Sequence, residues 1–193
     1  MLKKWSVLAE KDLIKDEWLH LSRHRCLKSD GSIVDPYYII NGRDWVNVMP
    51  VTRTGHAYLI REYRHGFGEI LTGLPGGLID DGESCMTAAA RELWEETGLT
   101  ACAPLLLTGK MVVNPSTHSN MGYSVLALVS DPQEPVFESP ESGIEVVRYS
   151  VTELVDIVLS GTELLSGYDA ASILRGAFSL RKFPGIDSTS CPS

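Results

Sequence analysis

Residues Gly76 to Leu99 constrain the fold most: a glycine-rich turn leads directly into a helix that carries three glutamates near its end. Gly66, Gly68, Gly73, Gly76 and Gly77 surround Pro75, and from Glu83 to Trp94 the composition changes to good helix formers around Ala88-Ala89-Ala90. Gly98 stands where a C′ residue ends a helix. On that helix Glu92 lies three residues from Glu95 and four from Glu96, so the three carboxylates share one side. Like charges at these spacings repel by roughly 0.2–0.5 kcal/mol per exposed pair. Glu95 and Glu96 also occupy the negative end of the helix dipole, where Lys or Arg is preferred. Arg91 offers the only local compensation, and Glu83 precedes the group at the helix start. A helix that breaks local rules in this way is expected to serve a site. Divalent cations are the natural remedy, because hard carboxylate oxygens on a rigid helix suit Mg2+ or Mn2+ and the phosphates such ions accept.

The charge count agrees with that reading. The 193 residues hold 25 acidic and 17 basic side chains, a formal net charge of −8. Between Asp80 and Glu96 six acidic residues accompany Arg91 alone, so five of the eight excess negative charges belong to one cluster. The balance argues against a nucleic-acid binder, which needs a basic face, but leaves phosphate chemistry open where cations mediate the contact. With 44% hydrophobic and 22% charged residues, the chain has the composition of an ordinary globular domain. No apolar run approaches the roughly 18–20 residues of a membrane helix. Met1-Leu2-Lys3-Lys4-Trp5 leads into mixed polar sequence without the apolar stretch of a secretory signal, so a cytoplasmic location is expected. Cys26, Cys85, Cys102 and Cys191 show no CxxC spacing and no nearby His pair, which argues against zinc and for reduced thiols.

Along the chain, Trp5 to Ile40 reads as a small antiparallel meander with a turn at Ser29-Asp30-Gly31, ending at Asn41-Gly42. Val46, Val48 and Val51 mark a strand, Thr54-Gly55 a turn, and Ala57 to Tyr63 the hairpin partner. Further strands are expected over Leu105–Val113, Tyr123–Val129 and Ile144–Ser150, and helices over Val151–Leu159 and Asp169–Leu180. Asp131 to Gly143 is a loop dense in Pro and Glu, and residues 184–193 form a flexible tail. Strands interrupted by single helices indicate an α+β or layered α/β/α body. The expected divisions are a meander over 1–42, expected to serve as a dimerisation segment; a main domain over 43–183; and the tail.

The segment resembles the Nudix box, Gly-x5-Glu-x7-Arg-Glu-U-x-Glu-Glu-x-Gly-U with U aliphatic. Gly77, Glu83, Arg91, Glu92, Leu93, Glu95, Glu96, Gly98 and Leu99 fill every position. The resemblance implies the Nudix α/β/α sandwich with a mixed sheet, and hydrolysis of a nucleoside diphosphate linked to another group. It further implies that Glu92 and Glu96 are the principal metal ligands, with Glu95 and the Gly76 carbonyl beside them. Arg91 would orient the glutamates, with Glu83 as its partner. Two or three cations would neutralise the diphosphate, activate a water and stabilise the leaving oxygen.

Beyond the box, Arg61-Glu62-Tyr63-Arg64-His65, Leu74-Pro75-Gly76-Gly77 and the C-terminal strand with two helices resemble the ADP-ribose pyrophosphatase subfamily. Pro115 fits the proline found about sixteen residues beyond the box in that subfamily, whose members are typically homodimers. Arg64 matches an arginine that contacts substrate phosphate. Trp18 and Tyr37 match aromatic positions that stack on adenine; core or interface roles are equally consistent with them. Relatives place a catalytic base on the loop before the last strand, where Glu138 and Glu141 both qualify; Glu141, closer to Ile144, is favoured. Two departures stand out. Gly73 occupies a position where relatives often carry Glu, and Ser116 to Met121 lacks their acidic group. The expected substrate is a nucleoside diphosphate sugar, ADP-ribose first and GDP-mannose or a similar compound as the alternative. A non-catalytic nucleotide-sensing module is a further alternative, disfavoured because no box glutamate is missing.

Overall fold

A computed structural model describes residues 2–132, 139 and 141–182; Glu138 and the 184–193 tail lie outside the described residues. The chain divides into two compact units, Met1–Arg43 with Val112–Met121, and Asp44–Met111 with Gly122–Ser193.

The first unit holds the expected meander, an antiparallel sheet of β1 (Ser6–Lys15), β2 (His20–Leu27) and β3 (Ile33–Asn41) in that order. Its turns are built by aspartates. The Asp16 carboxylate accepts the Trp18 and Leu19 N–H groups at 2.8 and 2.7 Å. Asp30 accepts the Ser32 N–H at 2.9 Å beside Gly31, whose φ of 83° a glycine adopts without strain. Residues 112–121 join this unit through Ile40, whose N–H donates to the Thr117 carbonyl at 2.7 Å while its carbonyl accepts the Ser119 N–H at 3.2 Å.

The second unit follows the order β4 (Trp45–Thr52), β5 (His56–Arg64), β6 (Glu69–Gly73), β7 (Gly76–Leu78), α1 (Cys85–Thr97), β8 (Leu106–Val112), β9 (Met121–Val129), β10 (Ile144–Ser150), α2 (Val151–Ser160) and α3 (Gly167–Lys182). The sheet runs β10-β5-β4-β9-β8, with β6 on β5 and β7 on β4. It is mixed: β4 and β9 are parallel, whereas β5 is antiparallel to β4, β6 and β10. The period-two alternation of the strands sorts their side chains onto two faces. Val46 and Val48 of β4, with Val125, Ala127 and Val129 of β9, meet Ala88, Ala89 and Leu93 of α1. Met49 and Val51, with Leu59 and Leu126, meet Leu154 and Ile157 of α2 and Ile173 of α3. The result is the expected α/β/α sandwich. Leu93 is wholly buried between α1 and the sheet. Leu93→Ala is expected to cost about 3 kcal/mol in urea unfolding, the usual penalty for such a cavity.

Strands β6 and β7 fall in the glycine-rich stretch, where the sequence pattern marks no strand. Glycine is a weak strand former, yet here its lack of a side chain is what permits pairing. A Cβ at Gly76 would fall on the Val46 carbonyl oxygen of β4. Cys26 and Cys85 are free, as expected; Cys102 is disulfide-bonded, which corrects the thiol expectation at that position. Among the described residues no helix is long and apolar enough to cross a membrane.

Candidate active site

Helix α1 places the box glutamates, and its two ends are set by identifiable residues. Ser84 is the N-cap, accepting the Thr87 N–H at 3.1 Å. Gly98 closes the helix in the left-handed conformation, its N–H donating to the Trp94 carbonyl at 2.8 Å. The face turned toward the sheet comprises Ala88, Ala89, Glu92, Leu93, Glu96 and Thr97, so two of the three glutamates lie on the buried side. Glu92 is 8% and Glu96 6% exposed. Glu95 is more open and lies at the rim. No basic residue occupies the last turn of α1.

Partners within the protein fix the positions of these carboxylates. The Arg91 Nη1 donates to Glu92 Oε1 at 2.7 Å and to Glu95 Oε2 at 3.1 Å. The other edge of its guanidinium grips Glu83, with Nε to Oε1 at 3.2 Å and Nη2 to Oε2 at 3.1 Å. Nη2 also donates to the Leu78 carbonyl at 3.0 Å, which ties the loop to the helix. Glu83 precedes the N-cap rather than starting the helix, and it additionally accepts the Asp80 N–H at 3.1 Å. The Glu96 carboxylate accepts the Gly76 N–H at 2.7 Å. A Cβ at Gly77 would overlap the Glu92 carboxylate, so a side chain there would displace that glutamate.

The electrostatics follow from this burial. Burial pushes the Glu96 carboxyl up to about 8; the Gly76 N–H opposes the shift, and the charges of Glu92, Glu62 and Glu141 add to it. Glu92 is also raised, first by burial, against the hydrogen bond from Arg91 and with the help of Glu95 and Glu141. Glu83 lies below its ordinary value because Arg91 and then the Asp80 N–H bind the ionised form. Arg91 is correspondingly strengthened as a cation, chiefly by Glu83.

Glu62 is a member of this group that the sequence reading did not single out. It sits near the end of β5, in register with Ile144 at the start of β10, three residues after Glu141. Its carboxyl is raised by burial, held down by Arg64, and raised again by Glu141 and Asp169. Arg64 forms an ion pair with it. The signal was available: residues 62 and 64 share one strand face, so an arginine aimed at a site carries Glu62 with it. Glu141 is exposed, its N–H donating to Ser139 Oγ at 2.9 Å. Its charge acts on Glu62, Glu92 and Glu96 alike.

The remaining candidates belong to the first unit. Trp18 is 88% exposed. Tyr37 donates its hydroxyl to the Ser116 carbonyl at 2.6 Å and meets Trp5 edge to face, so it braces the turn that contains Pro115.

Among the described residues no three His, Cys, Asp or Glu side chains stand together as a ready-made metal site. Glu92 and Glu95 are shared by Arg91 Nη1, whereas Glu96 is held on the Gly76 N–H. The donor chemistry nevertheless suits a hard divalent cation: buried carboxylates close together, one of them raised to about 8 and so mostly protonated at neutral pH until positive charge is supplied.

A mixed sheet between helices, with a glycine turn and an acidic helix on one face, matches a recognised family. The model of the NUDIX domain matches residues 43–163, and the chain belongs to that family. It is 34% identical over 116 residues to the ADP compounds hydrolase NudE of Escherichia coli, covering 60% of this chain and 61% of that protein. It is 26% identical over 175 residues to an ADP-ribose pyrophosphatase of Mycobacterium tuberculosis, covering 86% and 84%. The chain thus spans about six tenths of the length of the former relative. A crystal structure of an ADP compounds hydrolase superposes with a TM-score of 0.78 at 26% identity, over 94% of this chain and 97% of that one.

Proposed function

We propose that the chain is an Mg2+-dependent hydrolase of nucleoside diphosphate sugars, with ADP-ribose as first substrate and AMP and ribose 5-phosphate as products. The observation that carries this reading is the buried pair Glu92 and Glu96, which repel each other and lie within electrostatic reach of Glu62 and Glu141. Glu92, Glu96, Glu95 and the Gly76 carbonyl would hold the cation, which supplies charge for the diphosphate and lowers the pKa of water; Mn2+ would also serve. Arg64, anchored by Glu62, offers its remaining N–H donors to a phosphate. Glu141 is the base that accepts the proton of the attacking water as a bridging P–O bond breaks. Trp18 and Tyr37, which resemble adenine-stacking aromatic positions, and Pro115 are assigned to substrate binding. The names of the relatives, which refer to ADP compounds and ADP-ribose, support the substrate class. A cytoplasmic homodimer without affinity for nucleic acid completes the proposal.

A panel of nucleoside diphosphate sugars with Mg2+, assayed for released phosphomonoesters, tests the substrate class. ADP-ribose is expected to give the highest kcat/KM, and a preference for GDP-mannose would move the assignment to that substrate. Failure to hydrolyse any panel member refutes the reading. Within an active enzyme, Glu141→Gln is expected to lower kcat by about 100-fold, the usual contribution of a general base. Glu138→Gln is expected to stay within about threefold of wild type on the same scale; the reverse pattern would transfer the role to Glu138.

A further inference from the structure

The peptide Leu74-Pro75-Gly76, whose last carbonyl is assigned above to the cation, is held from both faces of the sheet. On the α1 side Glu96 accepts the Gly76 N–H at 2.7 Å. From β4 the Val48 N–H donates to the Pro75 carbonyl at 2.8 Å. On the α3 side stands Asp169. Its Oδ1 accepts the Leu74 N–H at 3.2 Å and the Asn47 Nδ2 at 3.1 Å. Its Oδ2 accepts the Ser166 hydroxyl at 2.6 Å, and its own N–H donates back to Ser166 Oγ at 3.0 Å. Burial pushes this carboxyl above its ordinary range, against the pull of those donors. No step of the proposed hydrolysis uses it, and a buried carboxylate is costly unless its contacts repay the desolvation.

Gly73 completes the arrangement. A Cβ at that position would stand 3.2 Å from Asp169 Oδ2, closer than side chains ordinarily approach. The departure from relatives at residue 73 therefore has a local counterpart: the space that a side chain there would claim is filled by a carboxylate from α3.

The geometry points to Asp169 as a positioning residue for the cation, fixing the Leu74–Gly76 peptide from the face opposite the box helix. Asp169 itself touches neither cation nor substrate. This inference rests on the metal reading given under Proposed function. Its physical basis is the narrow tolerance of Mg2+ for ligand placement, together with the roughly 10–100-fold losses of metal affinity that follow when the groups behind a ligand are removed.

The test is Mn2+ titration of the metal-free full-length chain, followed by electron paramagnetic resonance without substrate. Asp169→Ala is expected to weaken Mn2+ binding by about 10–30-fold. At saturating Mn2+ it is expected to lower kcat at least fivefold with KM for ADP-ribose within twofold of wild type. Asp169→Asn should restore affinity to within about threefold. Its amide oxygen can still accept from Leu74 and Asn47, and its NH2 can donate to Ser166 Oγ. An Asp169→Ala affinity within twofold of wild type overturns the inference, and so does an Asp169→Asn protein as weak as Asp169→Ala. If Asp169→Ala does not fold, Ser166→Ala decides. Freeing Oδ2 should weaken Mn2+ binding about threefold, and unchanged affinity overturns the inference. Absence of Mn2+ binding by the wild-type chain overturns the metal reading and the inference with it, an outcome distinct from binding that is insensitive to residue 169.

Discussion

Glu96→Gln is expected to lower metal-dependent kcat by at least about 10^3-fold while making the metal-free protein more stable at pH 8. Both effects have one origin. The Glu96 carboxyl is buried and lies near Glu92, Glu62 and Glu141, so its pKa rises from the ordinary 4.5 to about 8. A carboxyl raised in the folded state contributes stability that is complete below its unfolded value and is lost as pH rises through the folded value. For the wild-type chain without metal, that window runs from about 4.5 to about 8. The loss across it is on the order of 4 kcal/mol. Gln cannot ionise, yet its amide oxygen can still accept the Gly76 N–H, so the variant should not show this loss. Denaturant unfolding without metal at pH 5 and pH 8 measures the difference directly: the two proteins should match at pH 5 and separate at pH 8. Saturating Mn2+ should narrow the gap at pH 8, because the wild-type chain gains binding energy, about 2.7 kcal/mol at a hundredfold excess over Kd, that Gln forfeits. The kinetic loss corresponds to about 4 kcal/mol of transition-state stabilisation, within what a cation supplies to phosphoryl transfer. A Glu96→Gln enzyme with ordinary turnover, or a stability difference independent of pH, would refute the assignment of this side chain.

The sequence was most readable where the determinants are local. Gly98 marked the end of α1, and its left-handed φ of 70° is as the pattern required. Alternation along β4 and β9 assigned side chains to two faces, and helices packed on both. Glycines 73, 76 and 77 read as a turn, because what makes β6 and β7 strands is the approach of β5 and β4, a tertiary fact. The site divides in the same way. The spacing of Glu92, Glu95 and Glu96 forecast a shared side, but not that Glu92 and Glu96 would be buried while Glu95 stays at the rim. Alternation with Arg64 could have marked Glu62, but the meetings that Glu62 and Asp169 make across the fold were hidden for a stronger reason. Glu62 meets Glu141 through the register of β5 with β10, and Asp169 lies 95 residues from Leu74 and 122 from Asn47. No periodicity or motif spacing encodes such meetings. Gly73, noted only as a departure from the resembled pattern, proves to adjoin Asp169, whose Oδ2 would stand 3.2 Å from a Cβ there.

Arg91 is where stability and catalysis are expected to separate most clearly. Its guanidinium makes five hydrogen bonds, two to Glu83 and one each to Glu92, Glu95 and the Leu78 carbonyl. The planar fork is what allows one side chain to join the loop before α1 to two box glutamates. Arg91→Ala leaves Glu92 partly buried without its cation, a loss expected to destabilise the metal-free protein by about 2–4 kcal/mol. The measurable consequence is a lower urea midpoint, with kcat reduced by about 100-fold. Adding Mn2+ should recover much of the stability, since a divalent cation can neutralise the same carboxylates. It should not recover kcat, because a cation restores charge but not the bonds that orient Glu92 and Glu95 against Leu78 and Glu83. Arg91→Lys makes the distinction sharper. Lysine keeps the positive charge but presents a single nitrogen, which cannot span Glu83 on one edge and Glu92 and Glu95 on the other. Its stability should fall between wild type and Arg91→Ala, with kcat close to that of Arg91→Ala. A lysine enzyme as active as wild type would reduce Arg91 to a point charge and remove the orienting role derived from its geometry.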